Sequence, residues 1–402
     1  MLKNILQEQK ELTDLVRSII DGVSRKGDTA LIEYTKLFDS YELQKESICL
    51  SKSEIKYLLF QLKDEVFKTA VGKAAKNIGA FHNAEYKKLV RSWFRKGKEI
   101  KTGQFYNPVE KVGVYVPGGR FSYPSTVLMT VIPAKIAGVG KVVMATPPRN
   151  ITPAVIYAAK IAGVDEIYRV GGAQAVGAMA FGTASVEQVD MIVGPGNKYV
   201  NEAKRQVFGT VGIDSLAGPS EVAIIADETA NIEYIKADLL AQIEHDPEAV
   251  AYFFTTSMKL YEDIKEFSQS NKTESGSLQI HSTKVNAIAE AIDNVNKVAP
   301  EHLELMVKNP GRYLKDIRHA GAVFVGQNTP TALGDYFAGP SHVLPTAGAA
   351  RFSGGLSTAT FMKKTSYIEV TKRKQVSDSK LVEKLAETEG LNYHKLSIKV
   401  RD

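Results

Sequence analysis

Imidazoles and carboxylates crowd together at three places in this 402-residue sequence. The first is Gln242-Ile243-Glu244-His245-Asp246-Pro247. Gln242 and His245 are three residues apart, so on a helix ending at Pro247 both project from one face. An oxygen donor and an imidazole so placed are half of a zinc site; a helix-terminal histidine complementing the dipole is the commoner meaning of such a pair. The second place is Pro300-Glu301-His302. Proline at a first helical position predicts Glu301 and His302 in the first turn of a helix, two adjacent titratable groups suited to acid–base work. A first-turn acid beside an incidental surface histidine is the plainer alternative. The third combines Gly334-Asp335-Tyr336 with Gly339-Pro340-Ser341-His342 in a predicted loop, where no core needs them. Asp335 could instead cap a turn, and His342 could bond to backbone.

Three glycine-rich turns follow strand-like runs: Pro117-Gly118-Gly119, Gly171-Gly172-Ala173-Gln174 and Gly194-Pro195-Gly196-Asn197. Glycine at the carboxyl end of a strand lets a ligand approach the amides of the next helix, as a nucleotide crevice requires. None matches G-x-G-x-x-G, since Tyr199 stands where the last glycine of the third would be. No G-x-S-x-G, Walker A or H-E-x-x-H pattern occurs, which argues against α/β-hydrolase, P-loop and thermolysin-like chemistry. His82, His281 and His319 have no partners near them in sequence and read as structural.

The elements that must hold these residues fall into an α/β pattern. VGVYV (112–116), KVVMAT (141–146), EIYRV (166–170) and VDMIV (189–193) read as strands, separated by helices over Pro153 to Ala162, Ala173 to Phe181 and Tyr199 to Phe208. Such alternation predicts a parallel sheet with right-handed crossovers. Lys135-Ile136-Ala137-Gly138-Val139 recurs as Lys160-Ile161-Ala162-Gly163-Val164, each time closing a helix at glycine. A second α/β stretch has strands at EVAIIA (221–226), VAYFFTT (250–256), LQIHS (278–282) and GAVFVG (321–326), with helices near 230–244, 257–268, 284–295 and 311–319. The first hundred residues read as helical and polar, without a strand–turn–strand pattern.

Composition is that of a globular protein, 44% hydrophobic and 24% charged. The stretch richest in apolar residues, Thr126 to Val139, contains Pro133 and Lys135 and is too short to span a bilayer. The N-terminus has neither a signal-peptide core nor the acid-poor composition of a transit peptide, so a cytoplasmic protein is expected. One cysteine, Cys49, excludes an internal disulfide framework and a cysteine-rich metal site. Basic residues outnumber acidic ones by 51 to 45. Lys87, Lys88, Arg91, Arg95, Lys96, Lys98 and Lys101 with Trp93 and Phe94 read as a solvated helix end and loop whose aromatics reach the core. No nucleic-acid or membrane partner is expected.

Taken together the motifs closely resemble the histidinol dehydrogenase family. They are VYVPGGRFSYPSTVLM (114–129), VGGAQAVGAMAFGT (170–183), VGPGNKYVNEAK (193–204), AGPSEV (217–222), QIEHDP (242–247), PEHLEL (300–305), GDYFAGPSHVLPT (334–346), RFSGGLS (351–357) and EGLNYH (389–394). The resemblance implies zinc- and NAD-dependent oxidation of L-histidinol to L-histidine by way of the aldehyde. It places zinc on Gln242, His245, Asp335 and His394, the last from a second subunit. Glu301 and His302 become the acid–base pair, Tyr115, Gln174 and Asn197 the NAD contacts, and Ser220, His342 and Glu389 further substrate contacts. It implies a homodimer of two incomplete Rossmann-like α/β domains with parallel-sheet cores. The boundaries expected are an N-terminal helical arm over 1–26, a first domain from 27–110 and 217–362, a second over 111–216, and a C-terminal arm over 363–402 exchanged between subunits. The chain starts later than is usual in the family, and the stretch between Thr255 and Ala299 looks short. A relative acting on another polar alcohol, such as a sulfonated diol, is the alternative; Glu389 and His394, which such a relative is expected to lose, are both present.

Overall fold

Gly138 and Gly163 close their helices in the left-handed region, at φ of 91° and 88°, where glycine alone is unstrained. Each then sends the chain into a strand, and this unit recurs through the molecule. The computed structural model describes residues 2–118, 122–244, 248–273, 276–277 and 279–401. Four helices come first: α1 (Leu2–Lys26), α2 (Asp28–Asp39), α3 (Lys52–Gln61) and α4 (Glu65–Leu89). Then follow β1 (Trp93–Lys96), β2 (Ile100–Pro108), β3 (Lys111–Tyr115), α5 (Pro124–Ala137), β4 (Lys141–Ala145), α6 (Pro153–Ala162), β5 (Glu166–Tyr168), α7 (Gly172–Phe181), β6 (Met191–Val193), α8 (Lys198–Val207) and β7 (Gly212–Ile213).

The later part contains β8 (Glu221–Ala226), α9 (Ile232–Ile243), β9 (Val250–Thr255), α10 (Met258–Ser270), the small pair β10 (Lys272–Thr273) and β11 (Gly276–Ser277), β12 (Ile280–Lys284) and α11 (Ile288–Val298). It ends with β13 (His302–Met306), β14 (Ala322–Val325), α12 (Thr331–Tyr336), β15 (Met362–Val370), α13 (Lys372–Thr388) and α14 (Asn392–Lys399).

Two five-stranded sheets form, ordered β5-β4-β3-β6-β7 and β12-β9-β8-β13-β14, with every pairing parallel. In each, the first strand is central, the next two lie on one side and the last two on the other. That is the half-Rossmann order, whose switch point lies beside the central strand. Helices cover both faces, which is why the central strands read as unbroken apolar runs. Val112, Val114 and Val142 pack with α5 and α6, while Val143, Ala145 and Ile192 pack with α7.

Several expectations need correction. Pro300 does not open a helix: Ala299 turns the chain at φ 55°, and His302 begins β13, an interior strand between β8 and β14. The alternation of His302 and Glu304 with Leu303 and Leu305 is strand periodicity. Residues 310–316 form a 3-10 helix, and Asp335 lies in the short helix α12. The basic run is a hairpin of β1 and β2, to which β15 adds a third antiparallel strand. Trp93 and Phe94 do not reach the core but are half exposed, with the Phe94 ring edge-on to Tyr367.

The N-terminal helices share cores with the helices of the first sheet. Val16, Ile19, Ile20 and Val23 of α1 share a core with α7. Leu50, Val71, Ala74 and Ile78 share one with α5 and α6. Residues 27–110 also pack on the later part of the chain: the same core takes in Val343, Leu356 and Phe361, Asn77 Nδ2 donates to Phe337 O at 3.0 Å, and Thr358 N donates to Glu85 Oε2 at 2.9 Å. Helices α13 and α14 pack mainly on each other and leave Leu381, Leu385, Tyr393 and Leu396 exposed. Among the described residues no helix is long and apolar enough to cross a membrane.

Candidate active site

The carboxyl ends of the first sheet supply one wall of the site. Tyr115 ends β3, and its buried hydroxyl oxygen accepts a hydrogen bond from Gly172 N at 3.0 Å, tying two of the glycine-rich turns together. Burial pushes its pKa up to about 12. Gln174, in the first turn of α7, is buried with Nε2 lacking a partner. Gly172 is held at φ +65°, and a Cβ there would lie 2.6 Å from Gln174 Oε1. Asn197 caps α8, its Oδ1 accepting from Tyr199 N and Val200 N at 3.1 Å each; such a cap stabilises by about 1 kcal/mol.

The Gly194 turn has a buried brace that the sequence did not reveal. Lys204 Nζ lies 2.5 Å from Asp214 Oδ1 and donates to Gly194 O at 3.0 Å, while Gly194 N donates to Asp214 Oδ2 at 2.7 Å. Lys204 stands in the quoted motif, but only tertiary packing brings Asp214 to it.

The amino ends of the second sheet supply the opposite wall. Ser220 precedes β8, Glu301 precedes β13, and His302 is its first residue. Glu301 Oε2 accepts from Glu221 N at 3.2 Å. Burial, opposed by nearby His302, pushes the Glu301 pKa up to about 7. The His302 ring places Nε2 3.4 Å from Asp335 Oδ1 and Nδ1 3.7 Å from Glu301 Oε2. Burial alone would lower its pKa, but the Asp335 and Glu301 carboxylates outweigh that and hold it above the usual histidine value. Glu221 is also a buried acid, raised by desolvation, with Oε2 unpartnered.

Between the walls lies a cleft of about 380 Å³. It brings together Asn197, Ser220, Gln242, Glu301, His302, Asp335 and His342 among the predicted residues. His342 is steered by Nδ1, 2.8 Å from Asp335 O, and by Nε2, 3.4 Å from Thr126 Oγ1. Gln242 is in the last turn of α9, which ends at Ile243; His245 lies outside the described residues. Tyr115 and Gln174 sit behind the turns and do not line the cleft. Glu389 and His394 are exposed on the C-terminal helices and do not line it either.

The donor chemistry fits a cation held by nitrogen and oxygen. Cys49 bridges to Tyr168 on the outer strand β5, away from the cleft, so no thiolate is available there. Gln242 and Asp335 bring two oxygen donors to one cleft. Among the described residues no three His, Cys, Asp or Glu side chains form a metal cluster. Among the described residues the imidazoles that line the cleft are those of His302 and His342. For a dinucleotide, the unpartnered Gln174 amide and the turns at the switch point of the first sheet are the fitting features.

Comparison with known proteins gives one answer across the chain. The family model for histidinol dehydrogenase matches residues 3–402. Histidinol dehydrogenase of Synechococcus sp. is 46% identical over 400 residues, covering 96% of this chain and 91% of the relative. The Clostridium acetobutylicum enzyme is 45% identical over 412 residues, covering 98% and 93%. The crystal structure of histidinol dehydrogenase from Elizabethkingia anophelis superposes with a TM-score of 0.89 at 37% identity, covering 97% of this chain and 92% of that one. The chain belongs to the histidinol dehydrogenase family.

Proposed function

We propose that this enzyme of histidine biosynthesis oxidises L-histidinol to L-histidine by two successive hydride transfers, in a homodimer whose sites are shared between subunits. The observation that carries the reading is the cleft itself, where the Glu301–His302 pair faces the Gly194–Asn197 turn across the interval between two sheets. When bound, NAD supplies the hydride acceptor of each half-reaction, and zinc supplies Lewis-acid anchoring of the amino alcohol.

Gln242, His245 and Asp335 of one chain and His394 of a second copy would hold the cation, two oxygens and two nitrogens of the kinds zinc accepts. Tyr115, Gln174 and Asn197 set the dinucleotide turns. Ser220 and His342, with Glu389 of the second copy, orient the substrate. His302 takes the hydroxyl proton at Nε2, on the Asp335 side, as hydride leaves the carbinol carbon. Asp335 and Glu301 flank the imidazolium that results, which favours the proton's arrival. Glu301, whose carboxyl titrates near neutrality, then takes a proton from the water that adds to the aldehyde. The gem-diol so formed carries the second hydride. The walls of the cleft keep the aldehyde from bulk water between the two steps. The cytoplasm, where NAD is supplied and histidine is used, is the compartment that suits this reaction.

Counting NADH per histidinol consumed tests the chemistry: two are expected, with turnover lost to a chelator and restored by zinc. One per histidinol, or activity indifferent to the chelator, overturns it. Subunit sharing is tested by mixing inactive His394→Ala and His302→Asn proteins in equal amounts. Random re-pairing gives half mixed dimers with one intact site each, so roughly a quarter of full activity returns. Mixed dimers without activity would place His394 in the site of its own chain and overturn the sharing.

A further inference from the structure

We infer that Glu304 and Asp238 form a proton-sharing clasp that spaces the residues around the cation, making Glu304 a positioning residue of this site. The inference rests on the reading that Gln242 and Asp335 hold the cation. Glu304 lies on β13 two residues after His302 and therefore on the same face of the strand. It is 1% exposed. Its Oε1 accepts from Thr331 N at 3.2 Å. Its Oε2 is buried and receives no hydrogen bond from a donor group. The side chain that faces it is Asp238 of α9, itself almost wholly buried and close enough to hydrogen-bond.

Two carboxylates cannot meet out of water with both charges intact; one proton between them removes the repulsion and satisfies the orphaned oxygen. Both groups are held above the ordinary carboxylate range chiefly by burial; the Asp238 charge adds to this at Glu304, which is pushed up to about 8, whereas the hydrogen bond with Glu304 tempers the rise at Asp238. The directions agree with the geometry, which carries the argument. Glu304 joins three elements. Asp238 is one turn before Gln242 on α9, Thr331 is one turn before Asp335 on α12, and Glu304 itself follows His302 on β13. A merely apolar core would fill the same space with leucine and would leave α9 and α12 free to settle on different packing. Hydrogen bonds fix their relative height as apolar contact does not.

The test uses the full-length protein and zinc itself, with affinity read by competition against a chromogenic chelator, alongside kcat, histidinol KM and the circular dichroism spectrum. Glu304→Leu should weaken zinc binding by about 10- to 100-fold, the usual effect of removing an outer partner of metal ligands, with the spectrum unchanged. Glu304→Gln should stay within a few-fold of the parent, because the amide donates to Asp238 and its oxygen still accepts from Thr331. Thr331→Pro removes the N–H that binds Glu304, and Thr331→Val, which keeps that N–H, controls for the hydroxyl lost with it. Proline is tolerated at that first helical position, and the extended backbone of Pro330 suits a following proline. It should weaken zinc in the same direction, and it decides the matter if Glu304→Leu does not fold. Parent-like zinc affinity in the folded Glu304→Leu protein, or in Thr331→Pro, overturns the clasp, as does a Glu304→Gln protein as impaired as the leucine variant. Asp335→Asn separates the two readings. If it keeps full zinc affinity, the cation site is misplaced; if it loses zinc while Glu304→Leu keeps it, only the clasp falls.

Discussion

The first sheet meets the cleft with the carboxyl ends of its strands, at Gly118, Gly194 and Asn197, whereas the second, built in the same strand order, meets it with the amino ends, at Ser220, Glu301 and His302. The carboxyl edge beside a central strand is where such sheets ordinarily bind ligands. In the second sheet that edge is already filled. Asp227, just beyond β8, accepts from Thr229 N at 3.0 Å and Thr229 Oγ1 at 2.5 Å through Oδ1, and from Lys308 N beyond β13 at 2.7 Å through Oδ2. Its carboxylate takes the amides an anionic ligand would need. Topology thus offers two equivalent crevices, and side chains decide which is used and from which end.

The comparison breaks most visibly at the amino edge of the second sheet. His302→Asn should cut turnover by about 10²- to 10⁴-fold, the usual scale of a lost general base, with zinc content unchanged by elemental analysis. Loss of zinc would instead make His302 a ligand. Glu301→Gln should spare the first NADH in a single-turnover burst and suppress the second. The pH profile of the aldehyde step in the parent should climb through about 7, because the carboxylate is the active form, and the variant should lack that rise. Stability follows the same group. Its folded pKa lies above the unfolded value of about 4.3, so the native state holds the extra proton in between. Unfolding free energy should therefore fall as pH rises from about 4 to 7, and chemical denaturation of Glu301→Gln should show less of that fall. Asp227→Ala, at the closed edge, should have the smallest effect on catalysis. It removes three part-buried hydrogen bonds and should cost about 1–3 kcal/mol of stability by denaturant titration, with kcat and the NAD KM unchanged. A raised NAD KM would mean that the second crevice is in use after all.

The sequence carried the βα units well because their signals are local. Pro153 and Gly163 mark the ends of α6, and the two Lys-Ile-Ala-Gly-Val segments end their helices as read. It misplaced β13 because Pro300 is a strong helix-start signal and because polar His302 and Glu304 break the apolar run expected of a buried strand. Those two polar residues are the proposed general base and positioning group, and functional sites are where pattern and structure part company. The docking of α2 to α4 was not legible, since an amphipathic helix shows that it has an apolar face but not which sheet that face covers. The same holds for Asp238, which looks like any helical acid until the fold sets Glu304 against it.

The brace beneath the Gly194 turn has a consequence for the behaviour of the enzyme in electrolyte. Lys204 is a cation beside the crevice of the first sheet, yet its charge is already answered by Asp214, with side-chain exposures of 1% and 3%. A pair so sheltered lies beyond the reach of mobile counterions, which screen exposed charges over about 10 Å at 0.1 M ionic strength. Lys204 thus adds little salt-dependent attraction for the dinucleotide proposed at this edge, and its share of the affinity should hold nearly level as sodium chloride is added.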